Sequence, residues 1–256
     1  MSPTRRTSAG ESADDWRLDT RPVRRIEANE HVPSGPEGWP LDVPAVAQVL
    51  GDGLDLPAGV TFLVGENGSG KSTLLEGLAG AFGLGLEGGT RHTRHQTYAS
   101  ESDLHRWLQL TRGAGSARWG FFLRAETMHG YFTYLDEVGG ARREFHAMSH
   151  GESFLGAIEA YLDSPGLYCL DEPEAALSFT STLVLIGHLH EMAQNTGTQV
   201  VCATHSPVLA AMPGATILEL GDWGLRESTW DDLVLVANWR SYLTDPQRYL
   251  RHVITD

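Results

Sequence analysis

Short apolar runs alternate along the chain with polar and glycine-rich stretches. The runs are four to six residues long and rich in Val, Leu, Ile and Phe, which is typical of buried β-strands. Strands are therefore predicted over residues 60–64, 119–123, 167–170, 198–203 and 215–220, with two shorter ones over 23–27 and 54–56.

Apolar residues spaced three or four positions apart predict helices between these strands. The predicted helices cover residues 43–50, 74–79, 101–110, 126–135, 152–162, 177–192, 231–242 and 246–253. Because strands and helices alternate, we expect an α/β fold with a mainly parallel sheet and helices on both faces. The first 20 residues are polar and are expected to form a disordered tail, which leaves residues 21–256 as a single domain.

The composition argues against some classes of partner and location. The 256 residues carry a formal net charge of −14, so broad, nonspecific binding to nucleic acid is not favoured. Two basic clusters, at residues 91–95 and 142–143, are interpreted as solvated surface. No stretch approaches the roughly 20 apolar residues of a membrane span. Cys169 and Cys202 lie in apolar runs and are expected to be buried free thiols, so a cytoplasmic protein in a reducing compartment is predicted.

A glycine-rich segment between a predicted strand and a predicted helix carries the most specific chemistry. It matches the pattern G-x-x-x-x-G-K-[ST], in which backbone N–H groups and a helix N-terminus bind phosphate oxygens. Lys71 is expected to reach the β- and γ-phosphates, Ser72 to bind Mg²⁺ and Thr73 to bond an α-phosphate. The predicted nucleotide-binding residues of this segment are Gly65, Glu66, Asn67, Gly68, Ser69, Gly70, Lys71, Ser72 and Thr73.

Two acidic residues and a histidine follow predicted strands in the same way. Ligands of parallel sheets bind at the carboxyl ends of the strands. Asp171 is therefore expected to hold Mg²⁺, and Glu172 to orient and polarise an attacking water. His205 follows the strand 198–203 and is expected to contact the γ-phosphate or that water. Lys71, Glu172 and His205 are the predicted catalytic residues.

A fourth motif, Met148–Glu152, directly precedes the predicted helix 152–162. Ser149 and Glu152 have the spacing of a capping box. Together with the motifs above, the segment resembles the L-S-G-G-Q/E signature of ABC-type (ATP-binding cassette) ATPases, with His150 in place of the first glycine. The resemblance covers about residues 54–220. More closely, the chain resembles stand-alone ATPases with ABC-type motifs that are labelled AAA-family ATPases.

The resemblance implies a P-loop NTPase fold with a mainly parallel sheet flanked by helices, a small antiparallel strand region and a helical signature lobe at about residues 101–163. It implies ATP and Mg²⁺ as ligands. It also implies an ATP-dependent homodimer in which Ser149, Gly151 and Glu152 bind the γ-phosphate of ATP on the other protomer. The segment Glu174–Ser178 matches the D-loop, which touches the opposing site.

Two assignments have alternatives. The Q-loop residue is taken as Glu126, because a carboxylate can also bind Mg²⁺, and Gln96 is the alternative. Trp39 is a candidate to stack on the adenine, or else to pack within the fold. Arg24 or Arg25 could instead contact the base through a cation–π interaction.

ATP hydrolysis is the predicted activity, coupled to a dimerisation switch that acts on an unidentified partner or process. One alternative is the nucleotide-binding subunit of a membrane ABC transporter. Another is the ATPase subunit of a DNA-repair or phage-defence system. A coiled-coil repair ATPase is not favoured, because only about 78 residues without heptads separate Lys71 from Ser149. About 50 residues follow His205, so a nuclease is expected to be a separate chain.

Overall fold

The computed structural model of the protein describes residues 19–33, 38–85, 102–124, 156, 158, 164–251 and 253–254. Four predicted site residues, Glu126, Ser149, Gly151 and Glu152, lie outside these ranges, as do most of the predicted tail and of the predicted signature lobe. Within the described ranges, no helix has the length and apolarity needed to cross a membrane.

The described chain alternates between strands and helices, as the apolar pattern predicts. The strands are β1 (Arg25–Ala28), β2 (Leu54–Asp55), β3 (Gly59–Val64), β4 (Leu108–Thr111), β5 (Gly120–Arg124), β6 (Leu167–Asp171), β7 (Gln199–Thr204), β8 (Thr216–Gly221) and β9 (Gly224–Ser228). The α-helices are α1 (Pro44–Asp52), α2 (Lys71–Phe82), α3 (Leu104–Trp107), α4 (Phe179–Ala193), α5 (Val234–Thr244) and α6 (Pro246–Leu250). Short 3₁₀-helices cover Pro173–Ala176, Leu209–Ala211 and Trp230–Asp232.

The main sheet has six strands in the order β5-β6-β7-β3-β8-β9. Its neighbouring strands are parallel except for β8 and β9, so the prediction of a mainly parallel sheet is confirmed. The register places Arg124 of β5 opposite Asp171 of β6, and Asp171 opposite Ala203 of β7. Side chains at the carboxyl ends of these strands therefore meet at one edge of the sheet.

The inner strands of the main sheet are mostly apolar because both faces of the sheet are covered. Successive residues of a strand point to opposite faces. On β3, Phe62 joins the buried cluster that contains Leu185 of α4. The next residue, Leu63, joins the cluster on the other face, with Leu75 of α2. The sheet is thus held between α4 and α2, and α2 begins at the glycine-rich segment.

The two cysteines are buried free thiols, as predicted. Cys169 packs on the α2 side of the main sheet and Cys202 on the α4 side. Burial raises the pKa of both thiols, so neither is a thiolate at neutral pH. Both residues are inert parts of the core.

A second sheet of three antiparallel strands, in the order β2-β1-β4, corrects one predicted helix. The helix predicted over 101–110 ends at Trp107, and the residues after it form β4, in which Leu110 lies opposite Ile26. Leu108 is buried and Gln109 is exposed, which is the alternation of a strand. Apolar spacing in so short a segment fits either structure, and pairing with β1 decides between them.

The strand β9 has no counterpart among the predicted elements. It follows β8 through a tight hairpin and forms the antiparallel edge of the main sheet. Arg226 and Glu227 are exposed, so β9 lacks the apolar run that marks the inner strands. The last two helices also differ from the prediction: α5 covers Val234–Thr244 and not 231–242, and α6 ends at Leu250 and not at residue 253.

Gln199 joins the N-terminal segment to the main sheet. Its buried side chain accepts a hydrogen bond from the Val23 N–H at 2.9 Å. It donates to the carbonyl oxygens of Val23 and Pro57 at 2.9 and 2.8 Å. These three bonds satisfy backbone groups that no strand ladder pairs, so they stabilise the segment that leads into β1.

Replacing Gln199 with Leu should leave these buried backbone groups without partners. We expect the free energy of unfolding to fall by about 3 kcal/mol, measured by urea denaturation. Gln247→Leu, at an exposed position of α6, is the matched control and should change stability by less than about 0.5 kcal/mol. A Gln199→Leu protein as stable as this control would contradict the role given to the three bonds.

Candidate functional site

The glycine-rich segment forms a tight loop between β3 and α2. Gly68 and Gly70 have φ values of +84° and +96°, a region that favours glycine. A Cβ atom on Gly70 would lie 2.4 Å from Cγ1 of Val43, so the loop also has no room for a larger residue there. The loop is followed directly by the first turn of α2. Backbone N–H groups of that turn have no acceptor within the helix, so they are free for an anion.

Lys71 is the only lysine in the sequence, and its ammonium is buried at the start of α2. It donates to the carbonyl oxygens of Gly65 and Glu66 at 2.8 and 2.9 Å, so it folds back over the loop. Its Nζ also lies 3.9 Å from Oε1 of Glu172. Burial lowers the pKa of Lys71, although attraction by Glu172 and Asp171 opposes this shift. An anion held by the loop would relieve the cost of burying this charge.

The structure brings together Ser72 and Asp171, two of the three residues predicted to hold Mg²⁺. The Ser72 hydroxyl donates to Oδ1 of Asp171 at 2.9 Å, although the two residues are 99 positions apart in sequence. Hydroxyl and carboxylate oxygens are donors that suit Mg²⁺, which takes few protein ligands beside water and phosphate oxygens. No group of three or more metal-binding side chains occurs among the described residues, and this small donor set fits such an ion.

Arg124 completes the surroundings of Asp171 and was not predicted. Its Nε donates to Oδ2 of Asp171 at 3.0 Å, and its Nη2 donates to Oε2 of Glu76 on α2 at 2.9 Å. Burial disfavours the charge of Arg124, but Asp171 and Glu76 outweigh it and raise the pKa of the guanidinium. The sequence shows only that Arg124 follows an apolar run, and the structure is needed to place this strand next to the strand that ends at Asp171.

Glu172 approaches two other predicted catalytic residues. Its Oε1 lies 3.4 Å from Nδ1 of His205 and 3.9 Å from Nζ of Lys71. Its φ is +48°, the only positive value of a non-glycine residue in the described chain. That backbone costs about 1–2 kcal/mol, and the bond from the Glu172 N–H to the carbonyl of Ala203, at 2.9 Å, helps to hold it. The orientation of the Glu172 carboxylate is thus maintained at a cost in folding free energy.

Glu174 fixes the turn that carries His205. Its Oε1 accepts hydrogen bonds from the Thr204 hydroxyl at 2.5 Å and from the His205 N–H at 2.9 Å. Thr204 Oγ1 in turn accepts from the Ser206 N–H at 2.9 Å. The resemblance placed Glu174 in a segment that touches the opposing site, whereas these contacts lie within one chain. Spacing alone could not have identified them, because 30 positions separate Glu174 from Thr204.

The carboxyl end of the main sheet borders a cleft of about 640 Å³. It is lined by the glycine-rich loop and the start of α2, and by the side chains of Trp39, Val43, Arg124, Asp171 and Glu172. Trp39 is 60% exposed at this cleft, where a flat ligand could stack on it. His205 is not among the lining residues and reaches the cleft only through Glu172.

Arg24 and Arg25, the alternative contacts for the base, form ion pairs elsewhere. Arg24 pairs with Asp19 at 2.9 Å. Arg25 pairs with Glu27 at 2.7 Å and with Asp55 at 2.9 Å. Neither arginine lines the cleft, so Trp39 is the better candidate of the three.

Comparisons with protein families match two overlapping parts of the chain. Residues 51–113 match a family described as "AAA domain". Residues 87–211 match a family described as "AAA domain, putative AbiEii toxin, Type IV TA system". The first match contains the glycine-rich loop, and the second contains Asp171, Glu172 and His205.

Individual relatives are named as ATP-binding proteins or as ABC transporters. The aliphatic sulfonates import ATP-binding protein SsuB of Delftia acidovorans is 31% identical over 199 residues, which cover 73% of this chain and 79% of that protein. ABC transporter G family member 11 of Dictyostelium discoideum is 25% identical over 235 residues. That match covers 75% of this chain, which spans only 16% of the longer protein.

A similar solved structure is that of cbiO1 from Clostridium perfringens, part of the ABC transporter complex cbiONQ. It has a TM-score of 0.45 and 15% sequence identity, and the match covers 79% of this chain and 90% of that chain. The family itself rests on the sequence match to SsuB, which extends over most of both proteins. The chain belongs to the ABC-type ATP-binding proteins, a family of P-loop ATPases.

Proposed function

We propose that the chain is an ATP-dependent switch, which binds ATP and Mg²⁺ in the cleft, pairs with a second copy over the nucleotide, and separates after hydrolysis. The observation that carries the proposal is the convergence of Lys71, Ser72, Asp171, Glu172 and His205 at one edge of the main sheet. These residues come from three separate parts of the sequence. Such a gathering of opposite charges is what phosphoryl transfer requires.

Binding of the triphosphate would use the loop and the start of α2. Free N–H groups of the first helical turn donate to phosphate oxygens, and the helix N-terminus adds partial positive charge. Lys71 would leave the carbonyls of Gly65 and Glu66 and turn to the β- and γ-phosphates. Ser72 and Asp171 would hold Mg²⁺, which neutralises phosphate charge when bound.

Hydrolysis would depend on Glu172. Its carboxylate would accept a hydrogen bond from the attacking water and take up the proton as the oxygen of that water bonds to the γ-phosphorus. The bond from the γ-phosphorus to the β–γ bridging oxygen breaks in the same step, and that oxygen leaves with ADP. His205 lies beside the same carboxylate and would hold the water or contact the γ-phosphate. Glu174 would keep His205 in place through the turn at Thr204. The αL backbone of Glu172 fixes the direction from which its side chain reaches the cleft.

A second copy would close the site with Ser149, Gly151 and Glu152. These residues lie outside the described ranges, so their role rests on the family's signature motif. One surface feature supports the pairing: Phe179 and Leu183 are 66% and 48% exposed on α4, directly after the Glu174–Ser178 segment. Exposed apolar side chains at that place suit a protein–protein contact. Glu126 stays a proposed third Mg²⁺ ligand on the same basis.

A second candidate function is the ATP-binding subunit of a transporter, favoured by the SsuB relative, which is named as an import ATP-binding protein. Both functions use the same ATP cycle and place the chain in the cytoplasm with a partner. They differ in that partner. Copurification with a membrane protein from the native host would favour the transporter subunit, and recovery with non-membrane proteins alone would favour the switch.

Replacing Lys71 with Ala should weaken ATP binding by about 100-fold or more, because the buried cation that faces the phosphates is lost. The measurement is the shift of melting temperature with ATP and Mg²⁺, since a ligand that binds only the folded state raises it. Arg106→Ala removes one exposed positive charge elsewhere and should keep the full shift. If ATP and Mg²⁺ raised the melting temperature of the Lys71→Ala protein as much as that of the wild type, Lys71 would have no role in nucleotide binding.

Replacing Glu172 with Gln should lower the rate of phosphate release by about 100-fold or more while ATP still binds. The variant should therefore accumulate as an ATP-bound dimer in size-exclusion chromatography with light scattering. Glu227→Gln, an exposed carboxylate on β9, is the control and should hydrolyse at the wild-type rate. Wild-type hydrolysis by Glu172→Gln would exclude the catalytic role, and a purely monomeric ATP-bound variant would exclude the dimer switch.

Replacing Glu174 with Met removes the oxygen that accepts from Thr204 and His205, and should lower kcat about tenfold while KM for ATP stays nearly unchanged, because His205 loses its fixed position but no phosphate contact is removed. Steady-state kinetics over a range of ATP concentrations separates the two constants. Glu191→Met, exposed on α4, is the control. A rise in KM with constant kcat would show that Glu174 acts in binding rather than through His205.

A further inference from the structure

Arg124 stands out because it brings a fixed positive charge to a carboxylate that the proposed function assigns to Mg²⁺. It is the last residue of β5, opposite Asp171 in the parallel register. Its guanidinium lies 3.0 Å from Oδ2 of Asp171 and 2.9 Å from Oε2 of Glu76. Its side chain is 21% exposed, and the exposed part lines the cleft.

The arrangement holds Arg124 rigidly in place. Glu76 is itself largely buried, and its other oxygen, Oε1, accepts a hydrogen bond from the Ser102 N–H at 3.2 Å. Asp171 accepts from Ser72 on the oxygen that Arg124 does not touch. The guanidinium is therefore held between α2 and β6, and rotation away from the cleft would separate it from two buried carboxylates.

A fixed cation in this position has opposite effects on the two ligands. It attracts the phosphates of a nucleotide, whose charge is negative. It repels a divalent cation that approaches Asp171. Charges this close and this poorly hydrated shift binding equilibria by one or more factors of ten. The balance between the two effects decides how far nucleotide binding depends on Mg²⁺.

We propose that Arg124 is a built-in cation of the phosphate site that sets the Mg²⁺ dependence of nucleotide binding. It is a positioning residue, since it acts through Asp171 and through its charge. The inference rests on the proposed function, namely that ATP and Mg²⁺ bind in this cleft. Without Mg²⁺, Arg124 lowers the net negative charge that the triphosphate meets. With Mg²⁺, the same charge makes the cation bind less tightly than Ser72 and Asp171 alone would allow.

The test uses a fluorescent, non-hydrolysable ATP analogue and two dissociation constants, one measured in EDTA and one in saturating Mg²⁺. The quantity compared is the dissociation constant in EDTA divided by the dissociation constant in Mg²⁺. Arg124→Gln should raise this ratio at least about tenfold over the wild type, because binding in EDTA weakens and the contribution of Mg²⁺ grows. Arg124→Lys keeps the charge and should stay within about threefold of the wild-type ratio. A purely structural role would change both constants by the same factor in both variants and leave the ratio unchanged.

Arg124→Gln removes the guanidinium that pairs with both Asp171 and Glu76, and this loss can impair folding. A charge-balanced variant therefore serves as a second test. The double variant Glu76→Gln/Arg124→Gln removes one charge of each sign and should return the ratio to within about threefold of the wild type. A double variant with the raised ratio expected of Arg124→Gln would overturn the proposal.

Two kinds of failure can be told apart. If the wild-type chain binds no analogue in either buffer, the proposed function fails and this inference fails with it. If the wild type binds with a clear Mg²⁺ dependence, and the ratio is the same in Arg124→Gln, only the role of Arg124 is overturned.

Discussion

The site depends on a single buried carboxylate, Asp171, which joins three elements of the fold. It ends β6, accepts the Ser72 hydroxyl from α2 and accepts the Arg124 guanidinium from β5. Each of these bonds spans more than 40 residues of sequence, so the cleft exists only when the main sheet has its correct register. A slip of one residue in β6 would turn this carboxylate toward the opposite face of the sheet.

Around this carboxylate, the fold concentrates positive charge in a strongly acidic protein. The formal net charge is −14, yet the single lysine and the partly buried Arg124 both face the cleft. The acidic surface disfavours nonspecific contact with polyanions. Under the proposed function, an anion is recognised locally, by the loop and by Lys71, and short-range contacts of this kind give selectivity rather than broad attraction.

Much of this arrangement could be predicted from the sequence, and the parts that could not share a physical cause. The loop, Asp171 and the inner strands can be predicted because each depends on neighbouring residues in the sequence. An apolar run marks the strand, and the polar or glycine-rich residues directly after it mark the site. The helix Leu104–Trp107 and the strand after it are distinguished only by pairing with β1, which is a long-range contact. The edge strand β9 has polar residues and no apolar run. The signature residues and Glu126 stay predictions.

The contacts of Arg124 and Glu174 could not be predicted for the same reason. Each residue type is ordinary at its place in the sequence, and its role appears only when strand ends are brought together. Glu174 reaches Thr204 across 30 positions, and Arg124 reaches Glu76 across 48. Motif spacing thus identifies the groups that are proposed to touch the nucleotide, whereas tertiary structure is needed to identify the groups that hold them.

The most direct test of the account is covalent labelling with an acyl-phosphate derivative of ATP, which transfers its acyl group to an amine held beside the phosphates. Because the chain has one lysine, mass spectrometry of the labelled peptides gives an unambiguous position. The account predicts a label on Lys71 that excess ATP with Mg²⁺ suppresses. A label confined to the N-terminal amine, or a Lys71 label that ATP does not suppress, would contradict it.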